Sequence, residues 1–137
     1  MAFTGNYTCD VFKSGLLTGS FNFSSGSFYM ALYTNNATLN ASTTAYTPVG
    51  EASGGSYSPT GQLLSGAAVA INNGVAYLTF NNPSWTGAIT ARGALIYKAG
   101  DNGAVCVLDF GNDKTSVNTF TVQFPTATST SAIIRLG

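Results

Sequence analysis

The strongest constraint in the chain is the segment ITARGALIYKAGDNGAVCVLDFGNDK, residues 89–114. In it two apolar runs, Ala91–Tyr97 and Ala104–Phe110, flank the polar tip KAGDNG. Each run is too short for a stable helix and is bounded by turn residues, which specifies a pair of strands. A hairpin about that tip sets facing residue numbers to a sum of about 201. Tyr97 then faces Ala104, Leu95 faces Cys106 and Arg92 faces Asp109. Both charges are expected on the face shared by Ala94, Ile96, Val105 and Val107. We read Arg92 and Asp109 as a structural cross-strand ion pair. Exposed, such a pair contributes roughly 0.2–1 kcal/mol. Buried, removing one partner costs about 3–5 kcal/mol, because the other charge is stranded.

The remaining sequence repeats the strand–turn grammar. AAVAI, NNG and VAYLTF, within Ala67–Phe80, read as a hairpin, with Asn73-Gly74 supplying the positive backbone angles of a tight turn. TFTVQFP alternates, with Phe120, Val122 and Phe124 inward and Thr121 and Gln123 outward. SAIIRLG gives a closing strand, and GNDKTSVN is expected to be a turn. SFNFSSGSFYMALYT yields one strand with apolar residues on both faces, hence a central position. The single helix candidate is Thr8–Leu17, ended by Gly19. The long polar stretch of residues 35–64 is too rich in Gly, Pro, Ser and Thr for a helix. It is expected to be an ordered excursion pinned by Leu39, Tyr46, Val49, Tyr57 and Leu63, with disorder as the alternative. The sum is one domain over residues 1–137: an all-β sandwich or jelly-roll-like barrel. It carries an N-terminal arm and short helix (about residues 1–19) and the excursion (about 35–64).

Charge limits the possible partners. Of 137 residues only 7 % are charged, and the formal net charge is zero, where ordinary domains carry about a quarter. A neutral exterior lacks the basic patch that nucleic acid requires and removes the self-repulsion that keeps proteins apart. A low-charge secreted β-domain is the plainer alternative. No apolar run approaches the roughly 18 residues of a membrane helix, and the N-terminus shows no signal-peptide pattern. Cys9 and Cys106 are expected to be buried thiols, although a disulfide between them remains open.

Reactive chemistry finds little to work with. The chain has no histidine, which removes imidazole triads and imidazole metal sites. Two distant cysteines do not make a zinc site. No spacing singles out a carboxylate pair for glycoside hydrolysis among Asp10, Glu51, Asp101, Asp109 and Asp113. GDNG and GNDK lack the alternating ligands of a calcium loop. No catalytic residue, cofactor or metal is therefore expected. Trp85 and Tyr57 are candidate surface contacts for a glycan, set against the plainer expectation that such rings pack inward.

Five stretches occur in order: FKSGLL (residues 12–17), FYMALYTNNATLNASTTAY (28–46), GEASGGSY (50–57), NPSWTGAITARGALIY (82–97) and VLDFGNDKTS (107–116). Together they resemble a group of small virion proteins of tailed bacteriophages. The resemblance implies a non-enzymatic structural component of the particle. The favoured expectation is a capsid decoration, or cement, protein. It would be assembled in the host cytoplasm and sit over joins between major capsid subunits, self-associated as a trimer. A tail, neck or fibre-associated protein is the second expectation, and a virion-surface carbohydrate-binding module the third.

Overall fold

The computed structural model describes residues 3, 5–125, 128 and 130–136. Met1, Ala2 and Thr4 of the expected arm, and Gly137 of the expected closing strand, lie outside the described residues. The fold is all-β with one short helix. Its elements are β1 (Tyr7–Thr8), α1 (Asp10–Thr18), β2 (Phe28–Tyr33), β3 (Gln62–Leu63), β4 (Ala68–Asn72), β5 (Val75–Thr79), β6 (Ser84–Thr86), β7 (Thr90–Lys98), β8 (Ala104–Thr115), β9 (Thr119–Thr121) and β10 (Ile134–Leu136). They form a five-stranded sheet in the order β1-β8-β7-β2-β3, a three-stranded sheet β10-β5-β4 and the pair β6-β9.

The hairpin of β7 and β8 is the centre of the large sheet, and its apolar residues are buried on both faces except Leu108 and Phe110, which are partly buried. Its register departs from the simple sum. Tyr97 faces Ala104 as expected, but a bulge at Ile96/Tyr97 shifts the rest by one, so Leu95 faces Val107 and Gly93 faces Asp109. A second irregularity between Ala91 and Gly93 carries the partner strand from Asp109 to Lys114. Residues 111–115, expected as part of a turn, therefore continue β8. Gly111 takes a φ of +89° there, a left-handed angle that lets the strand resume after the extra residues.

Helix α1 buries Phe12 and is stopped by Gly19 at φ +78°, the left-handed geometry that ends many helices. Phe12 starts a run of rings that ties the helix to both larger sheets. Its ring lies 5.0 Å from Phe21 and 5.8 Å from Phe23, Phe23 stacks on Phe28 at 4.4 Å, and Phe80 stands 6.2 Å from each of Phe23 and Phe28. Leu78 and Ile134 add the buried side chains of the three-stranded sheet.

The excursion is ordered, and it covers the outer edge of β2. Strand β3 pairs only with Tyr29 and Met30. Beyond it, Leu64 N–H donates to Phe28 O at 2.8 Å, Ala52 N–H to Leu32 O at 2.8 Å and Thr34 N–H to Gly50 O at 2.8 Å. Leu32 N–H donates to the Tyr57 hydroxyl at 3.0 Å. Of the five expected pins, Leu39 and Tyr57 are buried and Tyr46 is partly buried, but Val49 and Leu63 are exposed. The pinning there falls to their neighbours, Ala52 and Leu64.

The β4–β5 hairpin turns as expected, through Asn73 (φ +53°) and Gly74 (φ +76°), with Asn72 opposite Val75. Its outer strand differs from every other long strand: all five residues of β4 are exposed.

Candidate functional site

Arg92 and Asp109 form the expected ion pair, with Arg92 Nη1 3.0 Å from Asp109 Oδ1 and side chains 7 % and 12 % exposed. They are not directly opposed, as the simple register requires. Asp109 faces Gly93, and Arg92 reaches it from within the irregular step between Ala91 and Gly93. The acidic face is also different: Asp109 shares a side with Leu95 and Val107, not with Ala94 and Ile96. The pair organises the N-terminal arm. The Phe3 ring lies 5.9 Å from the guanidinium carbon. A Cβ on Gly93 would collide with that ring, so the ring fills the place of a side chain. Asp109 N–H donates to Asn6 Oδ1 at 2.6 Å, and Asp109 Oδ1 also accepts from Gly111 N–H at 2.8 Å. Asp109 Oδ1 is thus held by both Arg92 and Gly111 N–H, while the Asp109 backbone ties Asn6, and the arrangement is wiring.

A second polar centre is one that the sequence patterns do not single out. Glu51 accepts hydrogen bonds from the Tyr46 hydroxyl at 2.6 Å, the Tyr57 hydroxyl at 2.5 Å and Thr60 N–H at 2.9 Å. Tyr33 donates to Thr47 O at 2.8 Å and Tyr97 to Thr60 O at 2.5 Å. Tyr46 packs on Tyr97 with ring centroids 5.0 Å apart, and Tyr97 stacks on Tyr29 at 5.8 Å. Five tyrosines therefore gather where the excursion meets β2 and β7: Tyr46 and Tyr57 share the Glu51 carboxylate, Tyr33 and Tyr97 bond carbonyls of the excursion, and Tyr29 stacks on Tyr97. Burial, and then the hydrogen bond to the Glu51 carboxylate, pushes the Tyr46 phenol up to about 12. The same two causes, in the same order, raise Tyr57. Burial also raises Tyr33 and Tyr97. These phenols stay neutral donors over the ordinary pH range. One signal in the sequence does point here: Glu51 is the only charge in a stretch that holds Tyr46 and Tyr57.

Trp85 and Tyr57 correct the expectation of a surface contact for a glycan. Trp85 is 4 % exposed and Tyr57 8 % exposed. Their rings pack together at 5.8 Å, and the Tyr57 hydroxyl is engaged by Leu32 and Glu51. Neither ring offers a face to solvent on which a sugar could stack. Residues 84–86 form the short β6 strand, which sets Trp85 against Phe120 of β9 and turns it inward.

Two further ion pairs lie nearer the surface. Asp101 Oδ2 lies 3.3 Å from Lys98 Nζ and Asp10 Oδ1 3.7 Å from Lys13 Nζ. Gly103 N–H, first among several causes, holds the Asp101 carboxyl below its ordinary range. Cys9 and Cys106 are buried and free. Burial raises both thiols, Cys9 to about 11, which keeps them protonated and unreactive. Among the described residues every buried side-chain polar atom has a partner.

What the surface does offer is apolar. Leu17, Val49, Leu63, Val69, Ile71, Val117 and Leu136 all stand largely in solvent. Between α1 and the three-stranded sheet runs a groove of about 130 Å³, lined by Phe12, Leu16, Phe23, Val69, Leu78 and Leu136 among others. Its chemistry is suited to covering by another apolar surface. Comparison of the chain with protein-family models, with curated proteins and with solved structures finds no match.

Proposed function

We propose that this protein is a non-enzymatic structural component of a tailed-bacteriophage virion, and within that class a capsid decoration or cement protein. It would assemble in the host cytoplasm, associate with itself and lie over joins between major capsid subunits. The observation that carries the reading is an exterior almost without charge that leaves large apolar side chains in solvent. A surface of that kind is suited to being covered, since Lys and Glu are depleted where subunits meet and bare apolar patches mark contact sites.

The five motifs support the reading in a particular way. They contain Phe12, the β2 strand, Glu51, Tyr57, Trp85, Arg92 and Asp109, which are the residues that wire the fold together. None of them covers residues 67–80, the hairpin with the bare strand. The resemblance thus lies in the framework, and the surface that would meet a particular shell is this chain's own. Burial of apolar area contributes roughly 25 cal/mol per Å², less the cost of ordering. Modest contacts of that size, repeated over a closed shell, add to a large resistance.

A tail, neck or fibre-associated role in the same particle is the alternative, and copy number separates the two. Quantitative electrophoresis of purified particles is expected to give a fixed, high ratio to the major capsid subunit. Particles lacking the protein are expected to lose heat resistance. A copy number of six or twelve, with unchanged heat resistance, overturns the decoration role. The carbohydrate reading loses its basis, because Trp85 and Tyr57 are interior.

A further inference from the structure

Strand β4 is anomalous. Its sequence, AVAIN, is apolar, yet all five residues are exposed, as is the whole run of residues 65–74. It is the terminal strand of the sheet β10-β5-β4, so one of its edges has no partner strand among the described residues. Exposed edges usually carry the devices that prevent pairing: lysine, proline or a bulge. This edge has none, and its pairing with β5 is regular over all five residues.

The direction of the free backbone groups follows from the turn. Asn72 and Val75 flank a two-residue turn and so exchange hydrogen bonds across it. Alternation then commits Ala68, Ala70 and Asn72 to β5 and points the N–H and C=O of Val69 and Ile71 outward. The side chains of Val69 and Ile71 share one face of the sheet with Ala76, Leu78, Ile134 and Leu136, all apolar. That face is covered at Leu78 and Ile134 and bare at Ile71, which is 72 % exposed.

We propose that β4 pairs antiparallel with β4 of a second copy of this chain, about a two-fold axis at Ala70. Val69 then faces the second copy's Ile71, and Ile71 its Val69, so the four outward backbone groups on each strand meet their complements. Ala70 faces Ala70 as a pair without backbone hydrogen bonds. The two small sheets become one of six strands with a continuous apolar face.

Three observations select a second copy as the occupant. An antiparallel edge is its own complement under a two-fold, so the same short strand supplies both sides. Charge is the second: no charged residue occurs between Glu51 and Arg92 and the chain is neutral. The edge strand therefore sets no like charges against each other and gives a charged partner nothing to recognise; Arg135 of β10 lies two strands away, across from Tyr77. Area is the third. A stable pair needs about 800 Å² from each side, on the order of an eighth of the 6875 Å² this chain exposes. All ten residues of 65–74 are exposed, and the groove lined by Leu16, Val69 and Leu136 adjoins them, so bare surface extends beyond the edge strand itself. The trimer that the family resemblance implies would need a different, head-to-tail contact.

The test is sedimentation of the full-length protein over a concentration series, together with cysteine cross-linking. The wild type is expected to reach twice its 14.1 kDa mass. Ile71→Pro removes an outward N–H and an apolar side chain while leaving the β5 ladder intact; it is expected to keep its circular dichroism and sediment as a monomer. Ala70→Cys brings two cysteines together at a non-hydrogen-bonded pair, about 4.5–5.5 Å between Cβ atoms. It is expected to form a covalent dimer under mild oxidation. Ala68→Cys, which would face Asn72 of the other copy, and the wild type, whose cysteines are buried, are expected not to. Wild type that stays monomeric throughout, a trimer that survives Ile71→Pro, or equal cross-linking at positions 68 and 70 overturns the proposal. Because the pairing does not rest on the virion reading, either can fail without the other.

Discussion

The outer side of β2 and the outer side of β4 are treated in opposite ways. At the edge of β2 the chain devotes a long excursion to a cover. Leu64, Tyr57, Ala52 and Gly50 take up the strand's backbone groups one after another, and Glu51 fixes two of the tyrosines that hold the cover down. At the edge of β4 there is no such cover, although the strand is as apolar and more exposed. Open backbone groups at an edge invite another strand. A chain that seals one edge so fully and leaves the other bare separates a framework from a contact surface. The framework side also holds the buried ion pair, the buried Trp85 and the five-tyrosine network. The hairpin itself, residues 67–80, carries no charge.

The comparison breaks most visibly on the framework side. Arg92→Met strands the Asp109 carboxylate, which is 12 % exposed. The expected loss is about 3–5 kcal/mol in chemical denaturation. Asp109→Asn is expected to cost less, since its neutral amide oxygen can still accept from Gly111 N–H and from Arg92. A double-mutant cycle over the two sites that shows no coupling contradicts the assignment of the pair as wiring.

Next in size is Tyr57→Phe. The ring and its contact with Trp85 remain, but Leu32 N–H loses its acceptor and Glu51 one donor. The expected loss is about 1–3 kcal/mol, the cost of an unpaired buried group. A loss near zero would mean that the β2 edge does not need its cover. The same network sets an alkaline limit. Tyr46 has a folded-state value raised to about 12, above the ordinary value near 10, so the fold favours the neutral phenol. Its contribution is fully present below pH ~10 and is lost as pH rises through about 12. An absorbance titration of tyrosinate should show a late class of phenols, released together with unfolding.

Much of the framework is legible in the sequence, and the failures have identifiable causes. Long alternating or two-sided runs mark β2, β5, β7 and β8, and Asn73-Gly74 marks its turn, because each rests on local chemistry. The Arg92–Asp109 pair emerges from a register that is wrong by one residue. Bulges obey no periodicity, and a long guanidinium reaches past the error. Strands β1, β3 and β6 are two or three residues long, too short to carry a pattern. Residues 111–115 read as a turn because Gly, Asn and Asp dominate there, while pairing with β7 decides otherwise. Trp85 and Tyr57 go to the surface in the glycan reading because residue type alone does not report burial. The role of Glu51 needs a contact between two ends of a loop that only the fold supplies. The bareness of β4 is illegible for the opposite reason: AVAIN looks like any half-buried strand, and no sequence pattern reports that its cover is missing.

The smallest expected effect sharpens the contrast best. Ile71→Thr keeps a β-branched side chain and the β4 ladder while removing apolar surface that, in one copy, is mostly in solvent. At protein concentrations low enough to hold the chain as a monomer, the change in unfolding free energy should stay within about 0.5 kcal/mol. The equivalent change at a covered strand position, Leu95→Thr, removes a fully buried side chain and leaves a hydroxyl in its place, so a loss of several kcal/mol is expected. As concentration rises, the wild type should gain stability by mass action and Ile71→Thr should gain less. Equal, concentration-independent stabilities would mean that β4 is merely tolerated in solvent. A divergence that grows with concentration would mean that the strand's stabilising contacts lie on another molecule, and that the bare edge is the counterpart of the sealed one.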